Sequence, residues 1–363
     1  MSLTWARWSN DLLVVTVLTY AVAMLGYAAE LAFGRTGVVR RGAVVSARVS
    51  EPARELVGAG VGGAASIWSE APATTTAGSA AAAPTGPVHP ELVEGARGRR
   101  LGRIAVSLTL LGWSAHLGSV VTRGLAAGRV PWGNMYEFSC AITLAAVTAF
   151  LLVLSRRPVR YLGAFVLLPV VLTLGLAGTV LYAKAEALQP ALQSYWLKIH
   201  VTAAIIAWGT FLVGAVQTGL YLAAARWEKK VSLAGLPVAE GGGGGALPKG
   251  GGIVRRLPSA AALDTAAYRT IAFAFPIWTF AVIAGAVWAE AAGGRYWGWD
   301  PKETWSFITW VIYAGYLHAR ATAGWSGKKA AAISLLAFSA LTIDYYVVNL
   351  VVSGLHSYAG TQL

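Results

Sequence analysis

The apolar residues of this chain fall into eight long runs separated by polar segments. Each run holds about 20 mostly apolar residues, the length that a helix needs to cross the hydrocarbon core of a bilayer. The pattern predicts an all-α, polytopic integral membrane protein with about eight transmembrane helices. The runs lie near residues 10–33, 103–122, 138–155, 160–183, 199–225, 270–290, 304–322 and 330–352.

Composition agrees with this prediction. Of the 363 residues, 56% are hydrophobic and only 12% are charged, and the mean hydropathy is +0.58. These values are too apolar for a soluble domain of this length. The first run is longer than the apolar core of a signal peptide, so we expect it to be retained as a helix.

Polar stretches divide the chain into five parts. After a first transmembrane helix within 1–33, residues 34–102 are rich in Ala, Gly, Pro and Thr, which is typical of a disordered linker. Residues 226–269 contain a run of glycines, which predicts a second, flexible linker. Helices 2–5 are expected between these linkers at 103–225, and helices 6–8 after them at 270–363.

The positive charges predict how the helices are oriented. The formal charge of +13 is compatible with nucleic-acid binding, but 22 of the 29 Lys and Arg residues fall in alternate loops. Cytoplasmic loops of membrane proteins are enriched in these residues. The asymmetry therefore predicts cytoplasmic linkers, extracytoplasmic termini and no nucleic-acid partner.

A tryptophan-rich segment, GRYWGWDPKETWSFITW at 294–310, lies between the sixth and seventh runs. It holds four of the 15 tryptophans of the chain. Indole rings favour the boundary between lipid and water, so we expect this segment at the extracytoplasmic membrane surface. Pro301 suits the first turn of a helix, so WDPKE is predicted to be the point where a loop becomes the seventh helix.

Two histidines are expected at that same surface. His200 opens the fifth run and His356 follows the eighth. Two imidazoles beside flat indoles suit a planar ligand with a central metal, and haem is the leading candidate. Arg295 and Lys302 are available for its propionates. Zinc fits less well, because two histidines without nearby Cys or clear carboxylate ligands would leave its site incomplete.

Other polar residues fall inside the predicted helices. His116 lies in the second run, where it is either a functional group or a hydrogen-bonding group between helices. His318 lies in the inner part of the seventh run. Asp344, in the eighth, is either a proton relay or a partner for a neighbouring Tyr or Ser. Cys140 is the single cysteine, which excludes an internal disulfide and a cysteine-based metal site.

Several segments, in the same order along the chain, resemble those of one family of membrane proteins. RYWGWDPKETW is similar to the "WWD" signature of the haem-handling proteins of cytochrome c maturation, specifically of the CcsA/ResC family of system II, called CcsB in some bacteria. PWGNMYEF resembles an external motif of that family. QSYWLKIH, YLHAR and GLHSYA resemble its first external, membrane and second external histidine motifs. The resemblance covers about residues 110–358.

The resemblance implies the roles of individual residues. His200 and His356 would be the axial ligands of an external haem b, and His318 would help to hold haem within the membrane. His116 is a candidate second membrane ligand, with a partner subunit as the alternative source. The platform beneath the external haem would consist of Trp297, Trp299, Asp300 and Trp305.

The resemblance also implies a function in the plasma membrane of a bacterial cell. The chain would deliver haem across the membrane and present its vinyl groups to the reduced thiols of a CxxCH motif in apocytochrome c. The implied partners are a ResB-type membrane subunit and the thiol–disulfide reductants of the apocytochrome. No pattern in the sequence indicates a nucleophile or an acid–base dyad, so haem lyase activity would belong to the complex.

Two other functions stay open at this point. A b-type membrane electron carrier usually pairs histidines on facing helices at matched depths, often with two on one helix, whereas no predicted helix here carries two. A transporter or a structural membrane subunit would depend on Asp344 as an intramembrane acid.

Overall fold

The computed structural model describes residues 2–33, 36–38, 92–94, 96–185, 193–233 and 251–352. Apart from two short antiparallel strands that pair Thr36 with Glu94, it is helical and confirms the predicted all-α, polytopic architecture. The elements are α1 Ser2–Phe33, β1 Thr36–Val38, β2 Leu92–Glu94, α2 Ala96–Ala127, α3 Met135–Arg156, α4 Gly163–Thr179, α5 Tyr195–Leu233, α6 Ala260–Gly293, α7 Pro301–Thr322 and α8 Gly327–Val351. Short 3-10 helices, Arg160–Leu162 and Gly252–Arg256, precede α4 and α6.

Seven of the helices in the described ranges are long and apolar enough to cross a membrane. The exception is α7, whose ends carry several charged residues. It nevertheless runs along α6 from one end of the bundle to the other. Trp310 donates to Thr279 midway, at 2.9 Å, and Arg320 pairs with Asp264 in the first turns of α6, at 2.8 Å. Because α7 spans the same depth as α6, the structure contains the eight helices that were predicted.

Polar contacts between helix termini define two ends of the bundle. At the end where α1, α3, α5 and α7 begin, Lys302 of α7 donates to the side-chain oxygen of Asn349 on α8. We call this the site end. At the opposite end, Glu30 of α1 pairs with Arg160 at 2.9 Å. Successive helices therefore alternate in direction, as their loops require.

Local sequence explains where the two helices at the site begin. Asn134 caps α3, because its side-chain oxygen accepts the backbone N–H of Glu137 at 2.9 Å. Asp300 caps α7, Pro301 occupies the first helical position, and Glu303 completes a capping box. The loop-to-helix transition predicted at WDPKE is confirmed.

Four helices extend by about two turns or more beyond the apolar runs that predicted them. α1 begins at Ser2, α2 at Ala96 and α6 at Ala260, and α5 continues to Leu233. A hydropathy pattern does not predict these additional turns, because they are more polar than the runs and depend on specific contacts. Glu228 of α5, for example, accepts the backbone N–H of Ala260 at 2.7 Å.

A glycine sets the crossing of α3 and α5. A Cβ added at Gly209 would lie 2.6 Å from the backbone nitrogen of Ala146. Small residues of this kind drive helix association in membranes, because lipid is as apolar as the side chains that leave it. The crossing also brings α5 onto α7, where Phe211 stacks on Tyr313 with ring centroids 4.0 Å apart.

Gly209→Ala is expected to destabilise the bundle, since the new methyl group has no room against the backbone of α3. Overpacking of this kind costs about 1–3 kcal/mol and should lower the midpoint of thermal unfolding in detergent. Gly219→Ala on the same helix is the control, because its added Cβ meets nothing within 4 Å. Equal midpoints for the two variants would contradict the crossing described here.

Candidate functional site

A cleft opens at the site end between α3, α5, α6, α7 and α8. We call it the main cleft. It encloses about 1060 Å³, a volume that includes its open mouth. Aromatic and aliphatic side chains form most of its walls. Its tryptophans are Trp132, Trp208, Trp278 and Trp288, and its polar side chains include His200, Lys302, Ser306, Asp344, Tyr345 and Asn349.

A smaller side pocket of about 510 Å³ adjoins the main cleft between α6 and α7. The side pocket also includes Trp297 of the tryptophan-rich segment. One imidazole, one ammonium group and two indoles line both spaces. The shared residues are His200, Trp278, Trp288, Lys302 and Ser306.

His200 is held in place by α6. Its Nδ1 lies 2.7 Å from the carbonyl oxygen of Ala281. A carbonyl oxygen can only accept a hydrogen bond, so Nδ1 donates and the lone pair of the ring is on Nε2. The ring lies nearly parallel to the indole of Trp288, with an interplanar angle of 7°. Metal-binding histidines commonly donate their other N–H to a backbone carbonyl, which fixes the tautomer and the ring orientation.

A glycine makes this approach to α6 possible. A Cβ added at Gly285 would lie 2.8 Å from both Nδ1 and Cε1 of His200. The imidazole therefore packs directly against the helix backbone. Ala281, Gly285 and Trp288 recur at spacings of four and three residues, so they form one face of α6. Each of these three residues of α6 therefore contributes to the position of the His200 ring: a carbonyl acceptor, the space left by a glycine, and a parallel indole.

Lys302 and Asp344 bring opposite charges into the main cleft. Lys302 donates to Asn349 and is close enough to Asp344 and Asp300 to interact with their charges. Asp344 is only 6% exposed, and its Oδ1 has no hydrogen-bond partner among the described residues. A buried acceptor without a donor costs about 1–3 kcal/mol. The polar network in this part of the cleft is therefore incomplete.

The tryptophan-rich segment forms an aromatic cluster beside the side pocket. Trp297 and Trp299 contact Phe307 edge to face, with centroid distances of 6.2 and 6.4 Å. Trp299 is 67% exposed, and its φ of 57° lies in the left-handed region, which is rare for a bulky residue. The turn is fixed by Glu303, which accepts the backbone N–H of Gly298 at 2.8 Å. This backbone strain presents the Trp299 ring to the surface.

Three other predicted residues of this segment differ in their surroundings. Asp300 is buried as the N-cap of α7, so its structural role is established by the fold. Trp305 is half-buried on α7 and lines neither the main cleft nor the side pocket. Arg295 is exposed, and its guanidinium packs against the backbone at Gly298. Of the two cations predicted to meet propionates, Lys302 is the one that lines the cleft.

The two other histidines among the described residues, His116 and His318, lie apart from His200. His116 is fully buried where α1 meets α2, and its ring contacts Tyr20 edge to face at a centroid distance of 5.9 Å. His318 is exposed on α7 towards the opposite end of the bundle. Neither lines the main cleft or the side pocket. His356 lies outside the described residues.

Sequence reasoning missed several residues of the main cleft. Trp278 and Trp288 share the α6 face of Ala281 and Gly285, so their helical spacing was an available signal. Asn349 lies in the eighth apolar run, where nothing in the sequence gives it a role. Trp208 looks like any core aromatic residue, and nothing in the sequence distinguishes it.

A carboxylate and two arginines hold the loop that forms one wall of the main cleft. Glu137 is 1% exposed and accepts hydrogen bonds from Arg123 at 3.0 Å and from Arg129 at 2.7 Å. It also accepts the backbone N–H of Gly133 at 2.9 Å. Charge-assisted bonds are stronger than neutral ones, so this carboxylate fixes the loop that carries Trp132 into the cleft.

Glu137→Gln is expected to lower stability by about 3 kcal/mol, because removing one member of a buried ion group leaves the opposite charges uncompensated. Thermal unfolding in detergent measures the loss. Glu290→Gln is the matched control, since Glu290 is exposed near the same end and surface changes usually stay within about 0.5 kcal/mol. A Glu137→Gln variant as stable as this control would rule out the clamp.

Comparison with known proteins agrees with this architecture. The family model described as "Cytochrome C assembly protein" matches residues 132–356. Those residues include the loop after α2, the main cleft, the tryptophan-rich segment and α8.

Curated relatives named "Cytochrome c biogenesis protein CcsA" match over most of their length. The protein of Trieres chinensis is 36% identical over 264 residues, which cover 65% of this chain and 80% of the relative. That of Synechocystis sp. is 35% identical over 308 residues, covering 74% and 89%. That of Guillardia theta is 37% identical over 242 residues, covering 65% and 79%. This multi-pass membrane protein therefore belongs to the cytochrome c assembly protein family, together with the CcsA proteins.

Proposed function

We propose that this chain acts in cytochrome c biogenesis by holding haem at the site end and presenting it for covalent attachment to apocytochrome c. The observation that carries the proposal is His200. Its Nδ1–H is bonded to the Ala281 carbonyl, so Nε2 has the lone pair that a haem iron requires. The imidazole also lines two adjoining spaces with indole walls, and indoles pack well on a porphyrin face.

The chemistry of the cleft fits haem in three respects. Its walls are mostly apolar and aromatic, as the macrocycle requires. Lys302 supplies a cation for a propionate. The polar atoms that lack partners, including Asp344 Oδ1 and the indole nitrogens of Trp208 and Trp278, are those that a ligand with polar substituents would satisfy.

His356 is proposed as the second axial ligand. α8 ends at Val351 at the site end, and Asn349 lines the main cleft. The few residues from there to His356 can reach across roughly 3.3 Å each when extended. The position of α8 therefore supports a ligand set in which one histidine is fixed by packed helices and the other follows the last helix.

In the proposed reaction, each thiol of the CxxCH motif adds across one vinyl group of haem. A C–S bond forms, the thiol hydrogen goes to the other vinyl carbon, and no oxidant is needed. The contribution of this chain is to position the substrate, since its described residues supply a ligand and a cleft. Thiol–disulfide reductants would keep the apocytochrome thiols reduced, and the CxxCH histidine would replace one axial ligand as the product leaves.

His318 is proposed to contact haem on its way through the membrane, with help from a ResB-type partner. The exposed face of α7 that carries His318 also includes Val311 and Gly315. Nothing in the described structure lies within 4 Å of an added Cβ at Gly315, so there is room for a helix of another subunit.

We propose that the site end faces the extracytoplasmic side of a bacterial plasma membrane, as the loop charges predict.

His200→Ala is expected to abolish the low-spin haem spectrum of the protein purified from haem-replete cells, together with cytochrome c maturation. Added imidazole should partly restore both, because it can occupy the space of the missing ring. Alanine variants at positions 116, 318 and 356 test the other histidines in the same way. A His200→Ala protein with an unchanged spectrum and full maturation would refute the proposal. Tightly held, redox-active haem without maturation activity would instead favour an electron carrier.

Gly285→Ala is expected to mimic the loss of His200 without removing it, because the new methyl group would occupy the place of the imidazole. We expect at least about a tenfold loss of haem affinity, corresponding to 1.4 kcal/mol, and a shift of the Soret band. Gly293→Ala, near the end of α6, is the control, since its added Cβ meets nothing within 4 Å. Identical haem spectra and affinities in the two variants would show that packing against α6 does not set the position of His200.

A further inference from the structure

Iron ligation by His200 leaves one part of the main cleft unexplained. Asp344, Lys302 and Asn349 come together there from α7 and α8. They are polar residues at the edge of a mostly apolar space. Asp344 is more than nine-tenths buried, and its Oδ1 has no hydrogen-bond donor among the described residues. A buried acceptor oxygen in this state indicates a missing partner.

We infer that this cluster binds one carboxyl group of the ligand, and that the carboxyl group enters with one proton, which it shares with Asp344. The inference rests on the proposed function, because it takes a porphyrin with carboxylate side chains as the ligand. It adds a binding subsite for a carboxyl group, and it couples ligand binding to the uptake of a proton. Iron ligation by His200 alone explains neither.

The balance of charge gives the reason for the proton. Lys302 is the ammonium that lines the main cleft beside Asp344, and Asp300 is close enough to interact electrostatically with both. A ligand carboxylate adds a further acidic group beside this single cation. Two carboxylates that share one low-dielectric site do not both stay ionised, and the pair holds one proton between them. The proton would lie between Asp344 Oδ1 and a ligand oxygen, which supplies the donor that Oδ1 lacks.

The other charged and titratable groups around Asp344 do not replace this proton. Asp300 of α7 adds negative charge and so strengthens the argument. Tyr345, the neighbour on α8, donates its hydroxyl to the carbonyl oxygen of Met135 at 2.9 Å. His200 of α5 donates through Nδ1 to Ala281, and the Asp344→Asn variant described below separates proton uptake at its Nε2 from uptake at Asp344.

Donors for the remaining ligand oxygen are available in the same cleft. Trp208 and Trp278 both line it, and their indole nitrogens are buried without acceptors among the described residues. An indole N–H can only donate. Together with the ammonium of Lys302, these groups give the main cleft several donors for the oxygens of a carboxyl group.

The test uses metal-free protoporphyrin, which has two carboxyl groups but no iron, and its dimethyl ester, which has none. Binding to the purified protein is followed by quenching of tryptophan fluorescence. Wild-type protein is expected to bind the diacid at least about tenfold more tightly than the ester, as befits a hydrogen bond to a charged group. Lys302→Met should remove this preference. Lys198→Met is the control, because Lys198 is exposed on α5 and lines neither space.

Asp344→Asn tests the proton. In weakly buffered solution with an indicator dye, the wild type should take up about one proton per diacid bound, and affinity should fall as pH rises. Asp344→Asn should take up none, and its affinity for the diacid should change little with pH. Equal affinity of the wild type for diacid and ester, or equal proton uptake by both proteins, would overturn the inference.

The two proposals fail separately. Metal-free porphyrin does not use His200 as a ligand, so a negative result there leaves the haem spectrum of His200→Ala to decide the proposed function. Conversely, a carboxyl preference in a protein whose His200→Ala variant keeps its haem spectrum would support the subsite alone.

Discussion

The site depends on one contact, that between the imidazole of His200 and the backbone of α6. The Ala281 carbonyl sets the tautomer, and the absence of a side chain at Gly285 sets the distance. Because the ring lies against a helix rather than in a loop, its position is as rigid as the crossing of α5 and α6. His200 lines both the main cleft and the side pocket, so this one helix–helix contact shapes the wall that the two spaces share.

Charged groups inside the bundle show how the surrounding wall is kept in register. Lipid gives helices little reason to associate, so buried polar bonds and close packing carry specificity. Glu137 meets two arginines and a backbone N–H, and Arg320 meets Asp264. Each of these charges has a partner within the fold. Asp344 differs because it lines the main cleft while one of its oxygens lacks a donor among the described residues, so a ligand in the cleft could supply that donor.

The positions of the helices could be predicted from the sequence, but the residues that line the main cleft could not. Apolar length predicted the transmembrane segments, and Pro301 predicted the start of α7, because these effects act within one stretch of chain. Which indoles share a cavity depends on how helices rotate against each other. Trp305 belongs to the tryptophan-rich motif yet lines neither space, whereas Trp288 lies outside that motif and stacks beside His200.

The two proposed axial ligands of haem would differ in how they are held, and this difference suits a protein that gives its ligand away. His200 is fixed by packed helices on a half-buried surface, whereas His356 follows the last helix by a few residues. A ligand bound on one side by a rigid group and on the other by a group beyond a helix end can exchange the second without disturbing the first. An incoming histidine of a partner protein would then meet a haem that keeps its orientation. A b-type electron carrier needs the opposite arrangement, in which both ligands come from facing helices and the haem stays.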